Sequence, residues 1–556
     1  MKTFDHRKYR PTSMIDLPDR QWPNKRITQA PRWASVDLRD GNQALLEPMD
    51  VMHKRQMWAL LLELGFKEIE VGFPSASQPD FDFVRWLIET QQIPDDVTIQ
   101  VLVQAREELI VRTFEALKGV QRAIVHVYNS TSRLQRERVF QMDRADIKAI
   151  AVHGAELLKR EAALYPATDW TFQYSPESFS ATEPEYAVEV CNAVIYIWQP
   201  SPAKPCIINL PATVENSMPN VFADQIEWFC RHINRRESII VSVHTHNDRG
   251  CAVAAAEMAV LAGADRVEGT LFGNGERTGN MDIITMAMNF YSQGIDPQLD
   301  LSRPDAIMQT CVACTDLPVH PRHPWVGELV YTAFSGSHQD AIRKSLKLQS
   351  TDEPWQVAYL PIDPRDLGRD YQAVVRVNSQ SGKGGVAFVL ERDHGLSLPR
   401  WLQVELAQIV QRESEHGNGE IDSTRIHQLF QQHFIADHSP LCLKGYQLKQ
   451  HEASYTFSAE IIDQGKLQQL KGQGEGAIAA FIDAWSRHSG QALNIVDYSE
   501  HALGHRTNAE AMAYVQLSIN NQRYSGAAHD HDSVSATLKA VISALNRANS
   551  QMAAAA

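Results

Sequence analysis

Two histidines separated by one residue, His244 and His246, have the types and the spacing that most directly suggest chemistry. They lie in a β-rich segment, where alternate side chains point to the same face, so both imidazoles can reach one divalent ion. Taken alone, such a pair on a strand is more often accidental than a ligand pair. Asp40, at the end of another β-rich segment, and the amide Asn280 supply the further donors that support a metal site.

These four donors form a mixed nitrogen and oxygen set that leaves coordination positions for water or substrate. The set suits a catalytic Zn, Mn or Mg ion better than a closed structural zinc. A cation held there would bind the keto oxygen and carboxylate of a 2-oxo acid and polarise its carbonyl group. Arg39 offers a permanent positive charge for a developing oxyanion, although it could equally pair with a neighbouring carboxylate.

The elements that would position these side chains alternate between β-rich segments and helical patterns from about residue 30 to 280, as in repeated βαβ units. Eight such repeats predict a closed (β/α)8 barrel in an α/β protein rather than an open sheet. The predicted strands are Trp33–Asp40, Lys67–Phe73, Thr98–Gln104, Arg122–Tyr128, Asp169–Ser175, Cys206–Pro211, Ser238–His246 and Asp265–Phe272.

The ends of these strands carry the polar residues, which is where barrel enzymes gather their chemistry. Arg39 and Asp40 close the first segment and His126 lies near the end of the fourth. Glu177 and Thr213 follow the fifth and sixth. Helix capping is the alternative role for Glu177.

Beyond the barrel, the alternation stops and a mainly helical stretch leads to a small α+β domain. The predicted strands there are Leu441–Gln450, Ala453–Ile462 and Ala511–Ile519, with helices at Ala477–Ser486 and Asp532–Arg547. We therefore divide the chain into an N-terminal arm (1–30), a catalytic barrel (31–315), linker subdomains (316–425) and a C-terminal domain (431–556).

Composition excludes several classes of protein. The 556 residues are 44% hydrophobic and 22% charged, which is typical of a folded globular chain. The formal charge of −14 opposes a nucleic-acid partner. No stretch reaches the roughly 18 apolar residues of a membrane span, and no signal peptide is recognisable. With only seven cysteines, we expect a cytoplasmic protein with reduced thiols, and Cys311 and Cys314 as two residues on one face of a helix.

Several motifs resemble those of a known group of enzymes. Asp37–Gln43, His244–Gly250 and Gly269–Asn280 are similar to the three signatures of the acyl-CoA-condensing and pyruvate-carboxylase-like barrels, and within that group to the 2-isopropylmalate synthase family. Further segments resemble the longer form of that family, and they extend the likeness along most of the chain: Phe172–Phe179, Asn209–Thr213, Phe334–Asp340 and Val377–Gly385.

The resemblance implies a role for each matching residue. Asp40, His244, His246 and Asn280 would bind the divalent cation, and Arg39 would stabilise negative charge on the substrate or enolate oxygen. Glu177 and Thr213 would contact the 2-oxo acid, with His126 and Ser175 close by. His338 and Tyr371 would approach the barrel of a partner subunit, so the active site would require a homodimer.

The implied reaction joins acetyl-CoA to 3-methyl-2-oxobutanoate and releases 2-isopropylmalate and CoA, the first committed step of leucine biosynthesis. A base must take a methyl proton from acetyl-CoA, and His338, Tyr371, Glu177 or a water are the alternatives. Leu102 would present an apolar wall to the isopropyl group. Such walls discriminate by only about 1–3 kcal/mol per methylene, so slow use of smaller oxo acids is expected.

Three other functions compete with this interpretation. A sister enzyme would make citramalate or homocitrate, a lyase or aldolase could use the same barrel, and the chain could be a non-catalytic amino-acid sensor. Within the C-terminal domain, Asp497–Leu503 and Ser543–Arg547 resemble the leucine-binding regulatory domain of the family, which implies feedback inhibition by leucine. Ser525–Asp532 departs from the pattern expected there, and a domain that only stabilises a dimer is the alternative.

Overall fold

The computed structural model describes residues 4–12, 14–369, 383–416, 421–435, 440–451, 454–503 and 509–555. The chain forms two compact units, Met1–Val330 and Tyr331–Ala556. None of the helices described in these ranges combines the length and apolar character required to cross a membrane.

The first unit contains a closed barrel of eight parallel strands, as predicted. The first strand pairs with both the second and the eighth, for example at Ala34, which lies beside Glu68 and Glu268 and so closes the ring. The strands are β1 Arg32–Ser35, β2 Glu68–Gly72, β3 Thr98–Gln104, β4 Arg122–Ser130, β5 Asp169–Glu177, β6 Cys206–Ala212, β7 Ile239–Thr245 and β8 Arg266–Gly269.

A main helix follows each strand, and a ninth helix ends the unit. Capping explains several boundaries: the carboxylate of Asp50 accepts the His53 N–H at the start of the first helix, and Gly65 ends that helix with φ of 97°. The helices are α1 Val51–Leu64, α2 Gln78–Glu89, α3 Glu107–Ala116, α4 Arg144–Ala162, α5 Pro184–Trp198, α6 Pro219–His232, α7 Ala252–Ala262, α8 Ile283–Tyr291 and α9 Pro304–Thr315. Cys311 and Cys314 are both buried on α9.

The first strand is shorter than the sequence predicts, and the difference concerns the site. β1 ends at Ser35, and Asp37–Gly41 form a wide π-helical turn in which the Gly41 N–H donates to Val36 O at 3.1 Å. The buried carboxyl group of Asp37 accepts the Ser35 hydroxyl at 2.8 Å and the Leu271 N–H at 3.0 Å. The prediction that Arg39 and Asp40 end a strand was therefore wrong, because these hydrogen bonds favour a turn.

The second unit begins with helices and ends with two small sheets. Its helices are α10 Gly336–Leu348, α11 Lys383–His394, α12 Arg400–His416, α13 Ser423–Phe434, α14 Ala477–Ser489 and α15 Ser533–Ala555. Its strands are β9 Leu441–His451, β10 Ser454–Asp463, β11 Lys466–Gly474, β12 Leu493–Leu503, β13 Glu510–Ile519 and β14 Gln522–Asp530. The predicted fold class, a barrel followed by helices and a small α+β domain, is confirmed.

The C-terminal part repeats one arrangement, three antiparallel strands followed by a helix. In each half a glycine lets the helix approach the sheet. An added Cβ at Gly472 would lie 2.4 Å from Ala480 O, and one at Gly526 would lie 2.4 Å from Ala540 O. The predicted strands and helices of this part are present, but β11, β12 and β14 were not predicted, because their side chains are mostly polar, exposed or small.

Candidate active site

Three of the four predicted metal ligands meet at the carboxyl ends of the barrel strands. One ligand atom each from Asp40, His244 and His246 lies within 4.8 Å of the others, and all three side chains are buried. Nε2 of His244 is 3.4 Å and Nε2 of His246 is 3.7 Å from Oδ2 of Asp40. The π-helical turn provides Asp40 and the end of β7 provides the histidines, so two separate elements converge on one point.

Buried oxygen atoms that accept no hydrogen bond indicate that this group of side chains fits a cation. Among the described residues, Oδ2 of Asp40 and Oδ1 of Asn280 are buried without a hydrogen-bond donor. Buried oxygen atoms of this kind are normally satisfied, so an ion or water is expected to bind them. Asn280 lies opposite His246 in an isolated β-bridge, and its Nδ2 donates to Asn274 O at 2.9 Å. Its Oδ1 is therefore the side-chain atom that can coordinate a metal ion. The set fits a divalent metal ion.

The charges around this point are strongly coupled. Burial alone would raise the pKa of Asp40, but Arg39 and His244 hold it well below its ordinary value. Burial would likewise lower the pKa of His244, but the nearby carboxylates of Asp40 and Glu268 raise it to about 9. For His246, burial and the charge of His244 lower the pKa to about 4. Asp40 is therefore ionised and His246 neutral at pH 7, as metal ligands must be, whereas His244 carries a proton that a binding metal ion would displace.

A layer of buried charges beneath the metal ligands holds them in place. Nδ1 of His244 lies 2.9 Å from Oε2 of Glu268, so Glu268 accepts from this nitrogen and Nε2 is left for a metal ion. Glu268 also accepts from Arg266 at 2.7 Å and from Gln173 at 2.8 Å. All of these side chains are buried inside the barrel. These hydrogen bonds in the barrel interior therefore fix the orientation of the His244 ring.

Glu70 has the same supporting role for two other candidates. Arg39 donates through Nε to Oε1 of Glu70, and His126 Nδ1 lies 3.2 Å from Oε2. Glu70, His126 and Glu268 could themselves hold a metal ion by distance, since their ligand atoms lie within 4.8 Å of one another. Their oxygen atoms are engaged by Arg39, Arg266 and Gln100, which favours a supporting layer over a second metal site.

Nine of the predicted site residues line one cavity of about 250 Å³ at this end of the barrel. They are Arg39, Asp40, Leu102, His126, Ser175, Glu177, Thr213, His244 and His246. The sequence did not single out the other residues that line it, which are Gln43, Phe73, Tyr128, Asn209, Pro211, Glu276 and Arg277. The cavity therefore combines the charged group around Asp40 with an apolar wall that includes Leu102 and Phe73.

Hydrogen bonds set the polar side of the cavity. Nε2 of His126 lies 2.7 Å from the Ser175 hydroxyl, which Asn209 Nδ2 approaches at 3.0 Å. With Glu70 accepting from Nδ1, Nε2 of His126 is the acceptor of the Ser175 hydroxyl. The Thr213 hydroxyl accepts the N–H of Ser178 at 2.9 Å and so keeps its own proton for a ligand. Glu177 accepts from the Ser130 hydroxyl.

The remaining two candidates are His338 and Tyr371. His338 is near the start of α10 in the second unit, where its ring stacks on Tyr359 with centroids 3.9 Å apart. Tyr371 lies outside the described residues. The roles assigned to both remain predictions.

A signal in the sequence could have revealed the supporting layer. Glu68 and Glu70 on β2, and Arg266 and Glu268 on β8, are charged residues two positions apart in strands that are otherwise apolar. Charges at alternate positions of a buried strand point to one face, and such charges must be paired. That pattern predicts an ionic layer inside the barrel.

Comparison with known proteins identifies three consecutive regions. Residues 30–310 match the HMGL-like family, residues 328–391 match the alpha-isopropylmalate synthase post-catalytic domain-like family, and residues 404–549 match the LeuA allosteric (dimerisation) domain. An HMG-CoA lyase structure from Brucella melitensis is similar at 16% identity with a TM-score of 0.42, covering 52% of this chain and 100% of that one.

Full-length relatives are much more similar. The 2-isopropylmalate synthase of Alcanivorax borkumensis is 56% identical over 546 residues, which cover 98% of each chain. That of Pseudomonas savastanoi pv. phaseolicola is 53% identical and covers 99% of this chain and 98% of its own. The resemblance found in the motifs is confirmed, and the chain belongs to the 2-isopropylmalate synthase family.

Proposed function

We propose that this chain condenses acetyl-CoA with 3-methyl-2-oxobutanoate and hydrolyses the resulting thioester, giving 2-isopropylmalate and CoA. The observation that carries the proposal is the buried group of Asp40, His244 and His246 in the wall of a partly apolar cavity. Asn280 completes the proposed ligand set. A divalent cation bound there supplies a Lewis acid for the ketone of the oxo acid.

The chain's own residues account for the other requirements. Arg39, buried between Asp40 and Glu70, keeps a fixed positive charge where the enolate oxygen develops. The Thr213 hydroxyl offers a hydrogen bond to the oxo acid, with His126 and Ser175 close by, and Leu102 and Phe73 receive its isopropyl group. Glu177, His338, Tyr371 and a water are the candidates for the base.

A thiol-release assay tests the reaction. Metal-stripped full-length protein would be given acetyl-CoA, one oxo acid and either Mg²⁺, Mn²⁺, Zn²⁺ or chelator, and CoA would be measured with a disulfide reagent against a blank without oxo acid. We expect release to be fastest with 3-methyl-2-oxobutanoate and to stop with chelator. Preference for pyruvate or 2-oxoglutarate would indicate the citramalate or homocitrate reaction. Cleavage of a hydroxyacyl thioester without condensation would indicate a lyase.

We further propose that the enzyme is a homodimer in which His338 and Tyr371 complete the site of the partner subunit. The match to an allosteric (dimerisation) domain over residues 404–549 supports a dimer. Mixing inactive His338→Ala with inactive His246→Ala protein is expected to restore activity, because hybrid dimers would hold one site with both wild-type contributions. Lack of recovery despite demonstrated subunit exchange would contradict sharing.

Leucine is the proposed feedback inhibitor, acting through residues 431–556. An allosteric coupling of about 1–3 kcal/mol would weaken substrate affinity about 5- to 150-fold and so slow turnover at subsaturating substrate. Full-length enzyme is expected to slow at millimolar leucine, whereas a chain truncated after Gly419 is expected to lose the response. Equal rates with and without leucine across substrate concentrations would contradict the proposal.

A further inference from the structure

One side chain at the mouth of the barrel, Arg277, connects its own loop to two neighbouring loops. It lies in the loop after β8, and its Nε and Nη2 donate to the two carboxylate oxygens of Asp248 at 2.7 and 3.1 Å. Nη2 also donates to the backbone carbonyl of Thr213 at 2.6 Å. Asp248 follows β7 and Thr213 follows β6, so a single guanidinium group fastens the loops after three consecutive strands.

Each of these loops carries a residue of the proposed site. Thr213 itself lines the cavity, His246 precedes Asp248 by two residues, and Asn280 follows Arg277 by three. A second connection reinforces the first, because Asp248 also accepts the Glu215 N–H at 2.9 Å. A bidentate Arg–carboxylate pair fixes orientation as well as distance. The pair with Asp248 therefore adds to the backbone bridge between His246 and Asn280 in setting the relative positions of the three site residues.

The backbone of the loop after β8 explains why it needs such support. Arg277 has φ of 56° and Gly279 has φ of 96°, and the left-handed conformation is unfavourable for a residue with a side chain. Backbone bonds hold the far end of the loop: Asn247 N donates to Gly279 O at 2.9 Å, Asn280 N to Gly273 O at 2.9 Å and Met281 N to Thr245 O at 2.8 Å. The pair between Arg277 and Asp248 holds the segment between these bonds.

We propose that Arg277 is a positioning residue, which places Asn280 and Thr213 relative to the two histidines through its pair with Asp248. The inference rests on the metal set of the proposed function. It predicts that loss of the pair weakens metal binding and raises the KM for the oxo acid, while kcat at saturating metal and substrate changes little. An arginine that instead contacted acetyl-CoA would change the KM for acetyl-CoA and leave metal affinity unchanged.

The opposite end of the barrel provides a matched control. Arg236 donates through Nη2 to Asp265 Oδ2 at 2.8 Å and to Gly263 O at 2.7 Å, and Asp265 also accepts the Val241 N–H at 2.9 Å. Like Arg277, Arg236 combines an ion pair, a backbone carbonyl and a backbone N–H, with similar exposure of the arginine, but it contacts one carboxylate oxygen and donates a further bond to Ile239 O at 2.8 Å. Arg236→Gln therefore removes a comparable pair far from the ligands.

The experiment measures Mn²⁺ binding to metal-stripped full-length protein by titration calorimetry, together with KM and kcat. Arg277→Gln and Asp248→Asn are each expected to weaken Mn²⁺ binding about 10- to 100-fold, which is typical of groups that orient metal ligands. The double variant is expected to be no worse than either single one, and Arg277→Lys to recover part of the loss. Arg236→Gln is expected to bind Mn²⁺ as the wild type does.

Mn²⁺ affinity within twofold of wild type in Arg277→Gln, or additive losses in the double variant, would overturn the proposal. If Arg277→Gln fails to fold, Asp248→Asn and Arg277→Lys give the same comparison. Failure of the proposed function would give a different result. No Mn²⁺ would then bind at the proposed site, so wild-type protein and His244→Ala would bind Mn²⁺ to the same extent.

Discussion

The interior of the barrel and the interior of the C-terminal repeat are equally well buried but are built from different chemistry. Inside the barrel, Arg266, Glu268, Glu70 and Gln100 are at most 1% exposed. In the described residues from 441 onward, the buried polar side chains are uncharged, and the core consists of apolar residues such as Phe457. The ionic interior lies under the proposed active site, whereas the apolar one belongs to the region that matches a regulatory domain.

Buried ions are expensive, so their presence needs a reason. Desolvation of an ion pair often cancels its attraction, and an apolar interior of equal volume is frequently as stable. The barrel retains the ions because each orients a residue of the site, as Glu268 does for His244 and Glu70 does for Arg39 and His126. The repeat needs only close packing. The difference indicates that the barrel interior is built for positioning rather than for stability alone.

The largest expected effect comes from a proposed metal ligand itself. His244→Ala should lower thiol release by at least about 1000-fold, because metal catalysis contributes several kcal/mol to the rate. Metal content should fall in parallel, while the circular dichroism spectrum stays native, since a site at the mouth does not hold the barrel closed. Full activity of metal-stripped His244→Ala would contradict this prediction.

The next effect concerns the supporting layer. Glu268→Gln keeps the side-chain size but leaves Arg266 without one of its two carboxylate partners, so we expect a loss of about 3–5 kcal/mol in the free energy of unfolding. Urea denaturation measures it. The control is Glu257→Gln on α7, whose carboxylate accepts a hydrogen bond from Asn289 at 2.7 Å outside the barrel interior. Equally small losses in both variants would contradict the prediction that the buried charges contribute more to the free energy of unfolding than an ordinary hydrogen-bonded carboxylate.

A pH-dependent effect is expected from Asp37. Burial raises its pKa to about 7 in the folded protein, against 3.8 for an ordinary aspartic acid. Between these two pKa values the folded chain therefore binds more protons than the unfolded chain. The free energy of unfolding consequently falls as the pH rises through this range. Between pH 5 and 7.5 the loss should be about 2–3 kcal/mol. Asp37→Asn, which stays neutral, should remove this part of the slope; an unchanged slope in urea melts would contradict it.

The smallest expected effect lies in the apolar region. Gly526→Ala would place a Cβ against the backbone of α15, and overpacking of this kind costs about 1–3 kcal/mol. Thermal unfolding and the leucine response should change, while Mn²⁺ affinity should not. Gly445→Ala on β9 is the control, because nothing lies within 4 Å of an added Cβ there. A change in the Mn²⁺ affinity of Gly526→Ala would contradict the distinction between the barrel interior and the C-terminal repeat.

The eight barrel strands and most helices could be predicted because their apolar residues recur at the period of the element. The cavity residues Glu177 and Thr213, at the ends of β5 and β6, were predictable from the same pattern. The π-helical turn at Asp37–Gly41 could not be predicted, because hydrogen bonds from distant Leu271 favour it. The strands β12 and β14 were missed because β12 is mostly exposed and β14 consists largely of small and polar residues, so neither shows a regular apolar pattern.

The π-helical turn also sets a limit on how this chain can change in length. Its carbonyl-to-amide spacing, from Val36 to Gly41, contains one residue more than an α-helical turn. Deleting a single residue there would rotate the adjoining backbone by about 100° around the turn axis, since an α-helix has 3.6 residues per turn. Asp40 would then point away from His244 and His246, although every residue type in the site was retained. A single-residue deletion between residues 36 and 41 should therefore be as damaging as the loss of Asp40 itself.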